Sequence, residues 1–509
     1  MAQQTAAEIV AAKVKAARVA KVPLVLVQTA DPAETAAAVM AGANGAPVLS
    51  WDVVRGLYGR NEAGDKLAKS AGWGPQNTRQ PVQLLMAIGG SDTNDRPVYV
   101  MANIQRFLVD VTVIQAVWNL RDWFKSNGAM LVMVAPLGQK GALPDELTRD
   151  VLVIEHALPD DERVRDIVRG MLANTKGAKF EATDELIANA AAALRGAAAF
   201  ACEQLTALTI VEGGKERFDL DGLMGAAKRL ISETQGLSFE QGRETFADVG
   251  GLSHVRRYAE RLFAGPHRPA AVVRVEELEK SMAGSQGDLS GVSQDALRVW
   301  LQAMEENHWT GLLGAGPPGS GKSLLARSMA NTFNAKPILF DVGACKGSLI
   351  GQSESRIRAA MQVLWAIAGP RAFFVASVNN LANVPPELQR RFTAGVWYFD
   401  TPSDEDRAEI WQKKLAQYGL ESQRHLVTEF VDEADLTGAD IRNICEAAVS
   451  LNCTVYDALQ FVVPLKRQSP TIIAEARALA AGRFIDASRG GAYVPPNMRK
   501  KSGGKREIN

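Results

Sequence analysis

Gly311–Ser323 reads GLLGAGPPGSGKS. A short apolar run, a glycine-rich turn and the start of a helix follow one another in thirteen or so residues, and Gly316, Gly321, Lys322 and Ser323 stand at the spacing G-x4-G-K-S. Each residue type has a physical task at that spacing. The glycines of Gly316, Pro317, Pro318, Gly319, Ser320 and Gly321 allow backbone N–H groups to curl around phosphate oxygens. The helix that opens through Lys322, Ser323 and Leu324 directs the positive end of its dipole at the same point. Lys322 is expected to contact the terminal phosphates, and Ser323 to ligate Mg²⁺. The stretch therefore predicts one P-loop nucleotide site in a doubly wound α/β domain.

Working outward, further apolar runs rich in β-branched residues predict strands at Ala271–Val275, Pro337–Asp341, Ala372–Ser377 and Val396–Asp400, with helices between them. Hydrolysis needs carboxylates at a neighbouring strand end and a polar group near the terminal phosphate. AAVVRVEELEK supplies the first: Val272, Val273 and Val275 make a strand, and Glu276 and Glu277 follow at its carboxyl end, where such sheets put chemistry. Glu276 would hold Mg²⁺ and Glu277 would polarise the attacking water, although a charged helix start after a strand has the same appearance. Asn379 and Asn380 after the strand FFVAS could reach the phosphate or merely cap a turn. Arg390 and Arg391 in PPELQRRF could complete a neighbouring subunit's site or lie on a solvated surface.

With 509 residues the chain exceeds one ordinary core, and its 47% apolar content is that of folded protein. Lys plus Arg and Asp plus Glu are 57 each, which argues against a general polyanion binder. Four scattered cysteines and five histidines leave zinc and disulfide frameworks unsupported. The apolar runs are too short to span a bilayer, and MAQQTAAEIV does not read as a signal peptide, so a soluble cytoplasmic protein is expected. Trp51, Trp300 and Trp365 read as core, while His308 and His425 suggest no catalytic role.

In the first half, strands are predicted at Pro23–Thr29, Pro97–Ala102, Met130–Ala135 and Val151–Ile154, with helix-like segments from about 30 to 90. Gly89, Gly90, Ser91 and Asp92 lack the lysine of a phosphate loop. This half reads either as a nucleotide-domain fold without its chemistry or as an unrelated α/β domain. Residues from about 160 to 240 read as helical, those from 403 to 450 as a small lid, and the Gly-, Pro- and Lys/Arg-rich tail from Gly490 as disordered.

Together these elements resemble the AAA+ ATPase family, in its clade with GAD in the second-sensor helix. FADVGGL (Phe246–Leu252), with Val249 and Gly250, resembles the stretch lining the adenine pocket. GPPGSGKS resembles the Walker A segment, IGQSESRIRAA the opening of the second helix, FFVASVNN the sensor 1 strand and PPELQRRF the arginine-finger segment. Gly438 and Ala439 in LTGADIRNICEAA resemble the second-sensor helix. The resemblance extends to the Ycf46-like branch, whose members carry a degenerate α/β domain ahead of the active one, and VVPLKRQSPTIIAEARALAAGRF fits that branch too.

One departure is large. In the family the Walker B strand follows Walker A; here EELEK and its helix precede it. The family's sheet order is 5-1-4-3-2, and this chain would make those strands in the order 3, 1, 2, 4, 5. Each crossover keeps a whole helix, so the assembled sheet need not change. The other reading, with EELEK a decoy, leaves the domain one strand short. A second departure is Glu276 in place of aspartate, which suggests low activity. The loop Ser348–Gly351, with Leu349 and Ile350, lacks the aromatic residue that threading members use.

The expected architecture is thus α/β: a P-loop AAA+ three-layer sandwich with internally permuted strand order over 246–402 and a C-terminal helical lid over 403–489. A degenerate AAA-like α/β domain (1–160) and a helical lid-like linker (161–245) precede it, and a basic tail (490–509) follows. The resemblance implies ATP and Mg²⁺ as cofactors, a homo-oligomer with a hexamer as one form, and remodelling of an unidentified protein partner. A nucleic-acid-associated ATPase, supported by Arg499, Lys500, Lys501, Lys505 and Arg506, and a non-hydrolysing nucleotide-gated scaffold are the alternatives.

Overall fold

The computed structural model describes residues 5–499 except 91–94, 137–142, 176–180, 214–217, 241, 280–291, 346–351, 380–383, 385 and 431–435. It divides into two compact units, Met1–Gln235 with Gly347–Ala366, and Gly236–Lys346 with Ile367–Asn509.

The first unit is built on strands β1 (Leu24–Thr29), β2 (Val48–Asp52), β3 (Gly56–Gly59), β4 (Val98–Ala102), β5 (Met130–Pro136) and β6 (Leu152–His156). They lie in the order β3-β2-β4-β5-β1-β6, with only the β2–β3 hairpin antiparallel. Alternation along β1, β4 and β5 feeds two cores. Leu24, Leu26, Tyr99, Met101, Leu131 and Met133 enter one. Val25, Val27, Val98, Val100, Val132 and Val134 enter the other. A sheet buried on both faces explains why these strands read as unbroken apolar runs. β2 and β3 lie inside the stretch expected to be helical. β3 is four residues long with glycine at each end, so its pairing with β2, and not its own composition, makes it a strand. The helices Asp161–Ala173, Asp184–Leu194, Ala199–Glu212 and Leu220–Ser232 share a separate core around Val164, Ala190, Cys202 and Leu223, and the alanines permit their close approach.

The second unit contains β7 (Leu237–Phe239), β8 (Ala271–Val275), β9 (Thr310–Ala315), β10 (Lys336–Phe340), β11 (Ala372–Val378), β12 (Val396–Tyr398) and β13 (Ile485–Asp486). Their order is β13-β12-β9-β11-β8-β10-β7, parallel apart from β7. Ile410, Trp411, Leu415, Ile441, Ile444 and Val455 form the core of the helical region after β12.

Four further expectations change. The segment taken as a helical linker to residue 245 supplies β7, which pairs antiparallel with β10. The lid segment supplies β13, which extends the sheet beside β12. Of the tail expected to be disordered from Gly490, the described residues 490–499 are packed on the sheet's edge region, and the rest lies outside the described residues. Tyr493 is fully buried, donates its hydroxyl to Asp400 Oδ2 at 2.6 Å, and exchanges backbone bonds with Gly482 and Phe484. Trp365 is 43% exposed, because the buried stripe of its helix runs through Ile357, Ala360, Met361, Leu364 and Ile367 and leaves position 365 outside it. Trp51 and Trp300 are buried as expected. No helix among the described residues is long and apolar enough to cross a membrane.

Candidate nucleotide site

The phosphate loop follows β9 and ends in the helix Lys322–Thr332. Two of its glycines are sterically required. Gly316 has φ 151°, and a Cβ there would lie 2.1 Å from the Phe399 carbonyl oxygen. Gly319 has φ 77°, and a Cβ would lie 2.9 Å from both Ala439 Cβ and Thr437 Oγ1. Lys322 is 8% exposed and folds back beneath the loop, its Nζ donating to Gly316 O at 2.7 Å and Pro317 O at 2.8 Å. Burial pushes its pKa down to about 8, against the pull of Glu279 and Glu277. Ser320 is 8% exposed, and Leu324 packs on the core beneath the loop.

The carboxylates come from the end of β8, between β11 and β10. Glu276 lies near the start of the loop's helix, close enough for the Ser323 hydroxyl to lower its pKa. Burial alone would raise its pKa. The Ser323 hydroxyl, the Arg274 guanidinium and the more distant Arg327 outweigh burial and hold it below the usual range. Glu277 takes φ 47°, the left-handed region that costs a non-glycine residue about 1–2 kcal/mol. Its backbone N–H donates to Ser377 Oγ at 3.4 Å, and its charge acts on Lys322.

Glu279, which sequence reasoning passed over, is 7% exposed. Its Oε1 accepts the Asn379 backbone N–H at 3.0 Å, while Oε2 is buried without a hydrogen bond among the described residues. It also acts on Lys322. The available signal was the spacing EELE, which puts a second carboxylate two residues beyond Glu277.

Three further segments meet the loop. Gly316 N donates to Val378 O at 3.3 Å, so the end of β11 and Asn379 adjoin the first loop residue. Gly438 and Ala439 open the helix Gly438–Ser450 against Gly319; a Cβ on Gly438 would lie 3.7 Å from Gly319 O. Val249 and Gly250 lie against the helix Asp404–Tyr418. Lys413 Nζ donates to Val249 O at 2.6 Å, and a Cβ on Gly250 would lie 2.6 Å from Ile410 Cγ1. Leu252 links this segment to the loop, its Cδ1 lying 3.2 Å from the Cβ position of Gly321.

Arg391 points elsewhere, pairing with Glu305 Oε2 at 2.6 Å, and Arg390 adjoins it. Neither makes a hydrogen bond or ion pair with the loop among the described residues. Asn380 and Ser348–Gly351 lie outside the described residues. Ser323 and Glu276 are hard oxygen donors, a set that fits Mg²⁺ shared with phosphate oxygens. No group of three or more His, Cys, Asp or Glu among the described residues could hold a metal without such a ligand.

Residues 11–156 match the family described as SpoVK-like AAA ATPase, N-terminal domain. Residues 312–383 match the ATPase family associated with various cellular activities (AAA). The second match takes in the phosphate loop and β11 but not β8. The AAA domain-containing protein ycf46 of Guillardia theta is 23% identical over 481 residues, covering 84% of this chain and 86% of its own. That of Trieres chinensis is 21% identical over 414 residues, 73% of each chain. That of Pyropia yezoensis is 20% identical over 416 residues, 74% of this chain and 75% of its own. The chain has an AAA+ ATPase domain architecture related to that of the ycf46 proteins, with a nucleotide-binding and hydrolysing function of the general AAA+ type.

Proposed function

We propose that this protein binds ATP with Mg²⁺ at the Gly316–Ser323 loop, hydrolyses it with carboxylates that precede the loop in sequence, and uses the turnover to remodel a protein partner. The observation that carries the reading is that the end of β8, which bears Glu276, is held to β11 beside the loop, with Glu277 N donating to Ser377 Oγ and Gly316 N to Val378 O. It supports the internal permutation, because the carboxylate belongs to a strand made before the loop, and the order β12-β9-β11-β8-β10 corresponds to 5-1-4-3-2.

In this reading the loop amides and Lys322 bind the phosphates, and Val249, Gly250, Gly438 and Ala439 enclose the rest of the nucleotide. Ser323 and Glu276 hold Mg²⁺, which when bound neutralises phosphate charge. Glu277 orients and deprotonates water, and Asn379 stands beside it at the end of β11. Arg391, with Arg390, serves the site of a neighbouring copy in a homo-oligomer such as a hexamer. For that, Arg391 must exchange Glu305 for phosphate, and an ion pair this exposed costs little to open. The nucleic-acid alternative loses support from Arg499, which lies over the Tyr493 ring and donates to Val494 O.

The test is steady-state ATP hydrolysis across protein concentration. Lys322→Ala should abolish binding and turnover. Glu277→Gln should keep nucleotide binding and lower turnover by about 10²–10⁴-fold, the range for a general base. Turnover per protomer should rise with concentration in the wild type and stay low in Arg391→Ala. Undiminished turnover in Glu277→Gln would refute the permuted carboxylate assignment.

A further inference from the structure

The middle of β8 carries a residue foreign to a buried parallel strand. Arg274 is 6% exposed, flanked by Val273 and Val275 and level with Leu339 of β10 and Val375 of β11. A guanidinium at such a position needs full compensation, because an uncompensated buried charge is strongly destabilising. Two carboxylates provide it. Glu240 takes one edge of the guanidinium, with Arg274 Nε donating to Oε2 at 2.9 Å and a terminal nitrogen to Oε1. Glu276 takes the other terminal nitrogen. Glu240 is fixed in turn, since its backbone N–H donates to Pro337 O and continues the β7–β10 pairing.

Arg274 and Glu276 are two residues apart, so strand geometry sends their side chains to the same side of the sheet. The Glu276 carboxylate therefore meets a permanent cation on the side of the sheet that it shares with Arg274. A guanidinium keeps its charge at every working pH. Any divalent ion drawn to Glu276 meets this fixed charge beside it. Glu240 holds the fork from the far side and draws part of its charge away from Glu276.

We propose that Arg274, anchored by Glu240, is a positioning residue that holds the Glu276 carboxylate and competes with the divalent cation for it, so that the metal is held mainly through the nucleotide phosphates. The inference rests on the reading of Ser323 and Glu276 as the metal-holding pair, and it gives the Arg–Glu–Glu chain at the ends of β7 and β8 a function beyond burial.

The experiment measures Mn²⁺ binding to the ADP-loaded full chain by electron paramagnetic resonance, independently of turnover. Glu276→Gln should weaken Mn²⁺ by about tenfold or more, the scale of one lost charge interaction near a protein surface. The pair Arg274→Met with Glu240→Gln removes one positive and one negative charge and frees Glu276; Mn²⁺ should bind about tenfold tighter. Glu240→Gln alone leaves Arg274 wholly to Glu276 and should weaken Mn²⁺ several-fold, which keeps the test informative if the double variant misfolds. If Glu276→Gln weakens Mn²⁺ while Glu240→Gln and the double variant match wild type, Arg274 does not compete and the inference falls. If Glu276→Gln changes nothing, the metal-site reading falls and takes the inference with it.

Discussion

Lys322 gives a quantitative test of the loop. Its ammonium group is buried under the backbone of Gly316 and Pro317, and burial brings its pKa from 10.5 to about 8. Polyphosphate binds the charged form, so affinity should follow the charged fraction of the unliganded protein. That fraction is near unity at pH 7 and about a tenth one unit above the pKa, so ADP should bind about tenfold more weakly at pH 9. A lysine titrating at 10.5 would lose only a few per cent over the same range. The phosphates change little in that window, since their second ionisation lies near pH 6.

Stability should move the opposite way. With the folded-state pKa lowered, the unfolded chain binds more protons between pH 8 and 10.5, so the Lys322 contribution to unliganded stability rises with pH there. Below pH 8 the full cost of the buried charge is present. The assay is calorimetric titration with ADP at pH 7, 8 and 9, with Lys322→Arg as the control whose charge does not titrate. Equal wild-type affinity at pH 7 and pH 9 would refute the argument, as would a pH slope shared by Lys322→Arg.

Two further outcomes follow from close contacts. Gly319→Ala combines a left-handed backbone, costing about 1–2 kcal/mol, with overlap onto Ala439 and Thr437. It should lower the melting temperature and loosen nucleotide binding by about tenfold or more; unchanged binding would show that the loop does not rest on the 438–450 helix. Asp31→Ala in the first unit removes the cap on Ala33 and Glu34 and the acceptor for the Phe200 N–H, each bond 3.0 Å. Loss of the cap costs about 1 kcal/mol, and hydrogen exchange should speed at Phe200 while ADP affinity stays at the wild-type value. Equal protection of the Phe200 amide would refute the bridging role of Asp31.

What could be read from the sequence was what is local. GPPGSGKS sets its own geometry, and the backbone of the loop needs little from elsewhere. The first unit shows the same logic in reverse. After β1 only Ala30 and Asp31 precede the helix Pro32–Gly42, and the Asp31 carboxylate fills the helix N-terminus where a phosphate loop would put its ligand. His156 Nδ1 and Thr35 Oγ1, 2.7 Å apart, occupy the interior beside it. The missing lysine was legible, but this replacement was not, because His156 lies on β6, far along the chain. The features that escaped reading are all set by distant partners. β7 exists through β10, Tyr493 is held by Asp400, and Arg274 in AVVRVEE looks like an ordinary polar interruption until Glu240 is beside it.

The proposed permutation rests on the same distinction between order along the chain and position in space. Parallel pairing fixes level, not sequence. Val275 of β8 is level with Ala376 of β11, and Ala376 with Leu313 of β9. The residues after Val275 are therefore level with Ser377 and Val378, and these with Gly314 and Ala315, the last strand residues before the phosphate loop. Two observed bonds follow this level, from Glu277 N to Ser377 Oγ and from Gly316 N to Val378 O. A strand end reaches the loop by register across β11 whichever connection brings the strand in, provided the crossover is long enough for its helix. A shift of β8 by two residues would instead move its carboxylates about 7 Å along the strand, away from the level of the loop. The site thus constrains register tightly and connectivity hardly at all, which is why moving a strand and its helix ahead of the loop is compatible with keeping the chemistry.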